Sequence, residues 1–246
     1  MKKNLLIVGA TSGLMISCLK SFLEKKYKIF ATYSTEKSLL NIPKNLKKSK
    51  SIKFIKLDFL EEDEKILKIL KKNKVKADII INAVGGSFGI KEYPYSLDNW
   101  RRSLELNILK HILINNFFLK KMITKKFGRI LFFSSLAVEN TNAPIIYSTS
   151  KAFLENYVKK SSIIFGKNNI LINCIKTSII AAKGNNWYKA IVSNPNKVKK
   201  ITKQKLSVER IGIPNDFIDF INLFISSKNK FMNGSIVNID GGAKLN

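Results

Sequence analysis

The sequence predicts an α/β fold: a doubly wound, mainly parallel sheet with helices on both faces. Three observations predict it. Short apolar runs alternate with helical apolar spacings along the chain, the rhythm of successive βα units. The runs are apolar on both faces, as strands between two helix layers must be. The first run ends in the glycine turn Gly9-Ala10-Thr11-Ser12-Gly13, which opens directly into a helix. At 246 residues, one core of this class accommodates the chain, and residues 1–246 read as one domain.

Residues 4–8 form the first short strand, and the helix after the turn covers roughly residues 14–26. Residues 28–33 are the second strand, followed by a Lys/Asn-rich stretch that is helical or irregular. The third strand, residues 52–57, ends at Asp58. Residues 61–73 have helical spacing at Ile66, Ile69 and Leu70, and their acidic start and lysine-rich end suit the helix dipole. A fully apolar fourth strand spans 77–83, a long helix 97–121, and a fifth strand 129–133. A helix over 147–165 and a strand over 170–175 follow. The chain closes with a helix over 214–226 and a strand over 235–239, ended by Asp240-Gly241-Gly242. Right-handed crossovers wind such a series into a sheet with its crevice over the strand C-termini.

The formal charge is +27. A basic surface binds phosphate backbones, but nearly all the positive charge is lysine, spread over every predicted helix. Only Arg101, Arg102, Arg129 and Arg210 are arginines, and base readout favours Arg. No nucleic-acid partner is expected; the field would still hasten encounter with anionic substrates. The apolar runs fall short of the roughly 20 residues of a membrane span. Lys2-Lys3 and the run after it break at Gly9 without a cleavage site, so neither a signal peptide nor a membrane partner is expected. Cys18 and Cys174 read as buried thiols of a reducing compartment, which points to the cytoplasm. No metal site is expected.

Chemistry concentrates in Ser134-Ser135 and in Tyr147-Ser-Thr-Ser-Lys151. Residues four apart on a helix share a face. An ammonium beside a phenol favours the phenolate and lowers a pKa that is ordinarily near ~10. The pair then serves as a general acid/base, and a serine hydroxyl from a strand end can hold a carbonyl oxygen beside it. Ser134 reads as a backbone-capping hydroxyl. The turn from Gly9 to Gly13 suits close approach of a pyrophosphate to free N–H groups.

In order and at proper spacing, these motifs make the chain resemble the short-chain dehydrogenase/reductases, in the single-domain branch of the 3-oxoacyl-carrier-protein reductases. The family's T-G-x-x-x-G-x-G falls on residues 8–15, with Met15 in place of the third glycine. Its N-N-A-G segment is Asn82-Ala83-Val84-Gly85, with Ala83 replacing an asparagine. Its helix asparagine is Asn107, its G-R-I-x-x-x-S-S strand runs from Gly128 to Ser135, and its Y-x-x-x-K is Tyr147 to Lys151. Its C-terminal pattern matches Arg210 through Asp216 and Gly234 through Gly242. Thr177-Ser178 stand where the family has Pro-Gly, and Ala181 or Ala182 where it has a threonine.

The resemblance implies a Rossmann fold and reduction of a carbonyl by a nicotinamide cofactor. Ser135 would position the carbonyl and Tyr147 would donate the proton. Lys151 would lower the Tyr147 pKa and hold the ribose, and Asn107 would hold a water linking Lys151 to solvent. Gly9, Thr11, Ser12, Gly13, Leu14, Tyr33, Ser34, Asp58, Phe59, Asn82, Ala83, Val84, Gly85, Tyr147, Lys151, Thr177 and Ile179 would line the cofactor site, with Asp58 at the adenine. A carboxylate about 20 residues past the turn would mark NAD. The second strand instead ends Ala31-Thr32-Tyr33-Ser34-Thr35, with Glu36 and Lys37 after it, which favours NADP(H) and leaves NAD(H) as the alternative. Residues 181–206 would cover the substrate as a lid.

The favoured substrate is a small-molecule or carrier-bound carbonyl, a 3-oxoacyl thioester first and a sugar or nucleotide sugar second. A regulator that binds NADP without turnover is the reading of another class, and the Thr177-Ser178 change is what favours it. Relatives suggest a homotetramer or homodimer. Ile108, Ile112, Phe117, Phe118, Phe153 and Tyr157 would serve that contact or the core.

Overall fold

The computed structural model describes residues 2–87, 89 and 93–244. A seven-stranded, all-parallel sheet runs in the order β3-β2-β1-β4-β5-β6-β7. The strands are β1 (Asn4–Val8), β2 (Lys28–Tyr33), β3 (Ile52–Lys56), β4 (Ile79–Asn82), β5 (Gly128–Ser135), β6 (Ile170–Thr177) and β7 (Ile236–Ile239). The order reverses direction between β1 and β4, and the crevice at such a switch point is where this class of sheet binds ligands.

The sheet's pleat sends alternate residues to opposite faces. Leu5 and Ile7 of β1 enter one core with Met15, Cys18, Leu19 and Phe22 of α1 (Gly13–Glu24). Phe217, Ile221 and Phe224 of α10 (Asn215–Ile225) complete it, and the short α2 (Glu36–Leu40) and α3 (Lys44–Lys47) flank it. Leu6 and Val8 enter the other core, with Ile66 and Leu70 of α4 (Asp63–Lys72) and Ile114, Phe118 and Met122 of α6 (Lys110–Lys125). Leu154 and Val158 of α7 (Ile145–Gly166) close that side. The lid segment holds α8 (Asn186–Ser193) and α9 (Pro195–Lys205), capped by the side chains of Asn185 and Asn194.

The helix predicted over 97–121 is not continuous. It runs as α5 (Leu97–Leu104), a π-helical turn at Glu105–Leu109, and then α6. The π turn carries Asn107, and such turns insert where a side chain is held by tertiary contacts. Strand 77–83 shortens to four residues, while β5 and β6 extend two residues further than predicted, to Ser135 and Thr177. Met15, in place of a glycine, is fully buried in the core under α1. Of the candidate contact residues, Ile108 and Phe118 are core. Ile112, Phe117 and Tyr157 pack against it half-buried, and Phe153 stays exposed.

Candidate active site

Three adjoining cavities form one groove over the C-terminal ends of the strands. The first, about 330 Å³, is lined by Gly9, Thr11, Ser12, Tyr33, Ser34, Asp58 and Phe59, and by Ala83 to Gly85. The second, about 190 Å³, shares Ser12 and residues 83–85 with it and adds Leu14, Tyr147, Lys151 and Thr177. The third, about 210 Å³, shares Thr177 and adds Ser135, Ile179 and Trp187 of the lid. Neighbouring cavities thus share lining residues at the strand ends.

The turn after β1 builds the floor. Gly9 has φ +88°, and a Cβ there would stand 2.8 Å from Val84 Cγ2, so glycine is required by both backbone and neighbour. Ser12 caps α1, its hydroxyl accepting from Met15 N at 3.3 Å. The remaining first-turn N–H groups have no partner within the helix and point positive dipole ends at the groove. Gly13 plays a different part from the one expected. It lines neither flanking cavity, and a Cβ on it would meet the Lys183 carbonyl oxygen at 2.4 Å. Its missing side chain admits the root of the lid at Ala182–Lys183.

The β3 end contributes Asp58, whose Oδ1 accepts from Leu60 N at 3.0 Å. The β4 end contributes Asn82, but its side chain is buried and turned away from the groove. There it meets Nδ1 of His111 at 3.0 Å, while His111 Nε2 donates to Val84 O at 2.9 Å. His111, wholly buried, has its pKa pushed down to about 3 by desolvation. A neutral imidazole therefore braces the β4 loop from behind. Neither Asn82 nor Gly13 touches the groove directly.

Asn107 is fully buried. Its Oδ1 accepts from Gly86 N at 3.0 Å, and its Nδ2 donates to Gly86 O at 3.1 Å and Ser103 O at 3.0 Å. Both amide hydrogens are committed to the protein, so only one oxygen lone pair is left for a further donor. The amide thereby clamps the loop after β4, and that lone pair is where a water linking Lys151 to solvent would bind. Lys151 reaches that loop, since a Cβ on Gly85 would stand 2.9 Å from Lys151 Nζ.

Tyr147 and Lys151 lie on α7 behind Pro144, and both line the second cavity. Tyr147 is hydrogen-bonded to the Ser135 side chain, and Ser135 Oγ also accepts from Ala137 N at 3.2 Å. Burial raises the phenol pKa above its ordinary value, and the Ser135 bond offsets part of that rise. Lowering of the phenol by Lys151 was expected and is not found. The ammonium donates instead to Phe133 O at 2.9 Å and lies 5.8 Å from the Tyr147 ring centre. Lys151 itself is pushed down to about 8 by burial.

Ser134 is also corrected. It does not cap the backbone but donates to Glu155 Oε1 at 2.6 Å, while Ser135 does the capping. The replaced Thr177-Ser178 pair is held in place, Ser178 donating to Asp240 O at 2.6 Å. Cys18 and Cys174 are free, buried thiols, both raised to about 12 by desolvation. Among groove residues the sequence reading missed, Arg102 of α5 stands out as a cation lining the first cavity. Its only sequence signal was its rarity in a lysine-rich chain. Lys37 is exposed and lies outside that lining. No group of three or more candidate metal ligands occurs among the described residues, and no described helix is long and apolar enough to cross a membrane.

Comparison with known proteins fits this geometry. The chain is 25% identical over 246 residues to 3-oxoacyl-[acyl-carrier-protein] reductase FabG of Buchnera aphidicola subsp. Schizaphis graminum, covering 98% of this chain and 97% of that protein. It is 28% identical over 156 residues to L-rhamnose 1-dehydrogenase (NADP(+)) of Thermoplasma acidophilum, covering 63% of this chain and 60% of that one. The solved structure of ElxO with NADP bound superposes with a TM-score of 0.84 at 26% identity over 98% of both chains. The family model described as short chain dehydrogenase matches residues 3–190. With its parallel sheet, glycine turn and Ser135–Tyr147–Lys151 groove, the chain belongs to the short chain dehydrogenase family of oxidoreductases.

Proposed function

We propose that the protein is an NADP(H)-dependent oxidoreductase that interconverts a carbonyl and a secondary alcohol, with a 3-oxoacyl thioester as its favoured substrate. One observation carries the reading: Tyr147, hydrogen-bonded to Ser135, shares a groove with Lys151 and the glycine turn. The groove fits a dinucleotide. Gly9, Thr11, Ser12 and Leu14 would hold the phosphates at the N-terminus of α1. Tyr33, Ser34, Asp58 and Phe59 would hold the adenosine end, and Ala83 to Gly85, Lys151, Thr177 and Ile179 the nicotinamide end. When bound, the cofactor supplies or accepts the hydride.

The chain's own residues manage the proton and the substrate oxygen. Ser135 orients the carbonyl oxygen toward the phenol. Tyr147 donates a proton to that oxygen in reduction and takes it back in oxidation. Lys151, buried against the β4 loop with its ammonium on Phe133 O, would hold the nicotinamide ribose. The lid, residues 181–206, covers the reacting end and brings Trp187 over it.

Arg102 supports NADP(H), because a guanidinium in the adenosine half suits a 2′-phosphate. Full-length similarity to an acyl-carrier-protein reductase supports the thioester, and Lys205 and Lys244 at the third cavity suit an anionic carrier arm. Similarity to a rhamnose dehydrogenase favours a sugar substrate as the second reading. Free thiols suit a cytoplasmic protein. The exposed Phe153, Ile163 and Ile164 of α7 suit a homotetramer or homodimer.

The test is steady-state oxidation of NADPH and NADH against acyl-thioester, sugar and ketone panels. Preferred use of NADPH with a 3-oxoacyl thioester is expected. Tight NADPH binding without turnover of any member would mean a regulator instead.

A further inference from the structure

Beneath the groove lies a second charged group that the proton chemistry does not use. Glu155 sits on α7 one turn beyond Lys151 and is buried. Its two oxygens are held from different strands. Oε1 accepts from the Ser134 hydroxyl at 2.6 Å, and Oε2 lies 3.1 Å from Lys176 Nζ. Lys176, 4% exposed on β6, also meets Glu139 Oε1 at 2.5 Å, just past the short 3-10 turn that follows Ser135.

The connectivity is specific. Ser134 precedes Ser135, Lys176 precedes Thr177, and Glu155 follows Tyr147 and Lys151 on their own helix. The segments that carry Ser135, Thr177 and the Tyr147–Lys151 pair are therefore tied to one buried carboxylate. A buried ion pair rarely stabilises a fold more than apolar residues of the same volume. Stability alone gives little reason to keep an acid and a base here.

We propose that Glu155 and Lys176 are positioning residues: Glu155 locks the Ser134–Ser135 strand end onto α7 and supplies the negative charge that keeps Lys151 an ammonium, while Lys176 locks the Thr177 strand end to the same carboxylate. This rests on the reading of Tyr147 and Lys151 as the proton-handling pair. The surroundings of Lys151 support it. Tyr147 and Glu155 of α7, Cys174 of β6 and His111 of α6 are the titratable groups that interact with it, and Lys176 and Glu139 lie beyond Glu155. Cys174 at about 12 stays a neutral thiol and His111 at about 3 a neutral imidazole. Glu155 is then the anion that opposes the effect of burial on Lys151, which already stands at about 8.

The test pairs Glu155→Gln with the double variant Glu155→Gln/Lys176→Met, which leaves no unpaired buried charge if the single variant folds poorly. Both are expected to lose about tenfold in kcat; in the single variant the alkaline limb of the pH–rate profile should also move down by about one pH unit, while the double variant, which removes an anion and a cation together, should keep its limb close to that of the unmodified protein. A readout without turnover accompanies these. In the single variant, the pH at which urea stability begins to converge with that of a matched Lys151→Met variant should fall by a similar amount. A double variant with wild-type kcat, or a single variant with wild-type kcat and profile, would overturn the proposal and leave only a packing role. Failure of the parent reading looks different: the unmodified protein would reduce no carbonyl, whatever the stability profiles show.

Discussion

Replacing Asn107 with alanine removes three hydrogen bonds at once, two to Gly86 and one to Ser103. The Ser103 bond is buried and the two to Gly86 are part-buried. At a net value near 1 kcal/mol per bond, the loss is about 3 kcal/mol. A chain of 246 residues unfolds with an entropy of about 0.5 kcal/mol per degree. Asn107→Ala is therefore expected to melt about 6 °C lower than the parent protein. Thermal melts at fixed protein concentration read this shift, with urea unfolding as the check on free energy. The freed Gly85–Gly86 loop also borders both halves of the groove, so NADPH affinity should fall in parallel. A Tm within about 1 °C of wild type would refute the clamp.

Other outcomes follow from the same coordinates. The chain has one histidine, and its imidazole NMR signals should report a neutral ring from pH 8 down to about 3; a midpoint near the ordinary ~6.5 would contradict its burial. Because unfolding frees that ring to take a proton, stability should fall as pH drops below about 6.5. Lys151 is a cation with a depressed folded pKa of about 8, so its charge costs up to about 3 kcal/mol below that pH. Lys151→Met should be the more stable protein at pH 7, and the gap should narrow as pH rises from about 8 toward about 10.5, where the unfolded lysine also loses its proton. A gap unchanged with pH in urea unfolding would show that Lys151 is not desolvated. Arg102→Ala should raise the Kd for NADPH about tenfold and leave that for NADH nearly unchanged, as measured by nucleotide fluorescence titration.

Much of the fold was legible because its signals are local. Apolar runs marked all seven strands, and the turn at Gly9 marked the crevice. Residues sent to the groove by a strand end or a first helical turn, such as Ser12, Asp58 and Ser135, could be placed from motif order. What escaped depends on partners distant in sequence. Gly13 is needed by Lys183, 170 positions away, and nothing near Gly13 announces that contact. The π turn at Glu105–Leu109 carries Asn107, whose partner Gly86 is distant in sequence, and helical periodicity alone reads straight through it. Ser134 looked like a cap because its carboxylate, Glu155, arrives from the next helix. The pKa of Tyr147 was expected low from its neighbour at i+4, yet in the folded chain desolvation outweighs a lysine whose ammonium bonds elsewhere.

The central claim is that the Tyr147 hydroxyl delivers the proton. Tyr147→Phe removes one oxygen from a helix that stays packed, so single-turnover oxidation of bound NADPH by an accepted carbonyl is the direct measurement. The account predicts NADPH affinity within about twofold of wild type and hydride transfer slowed by at least about 100-fold. Transfer at close to the wild-type rate would contradict it.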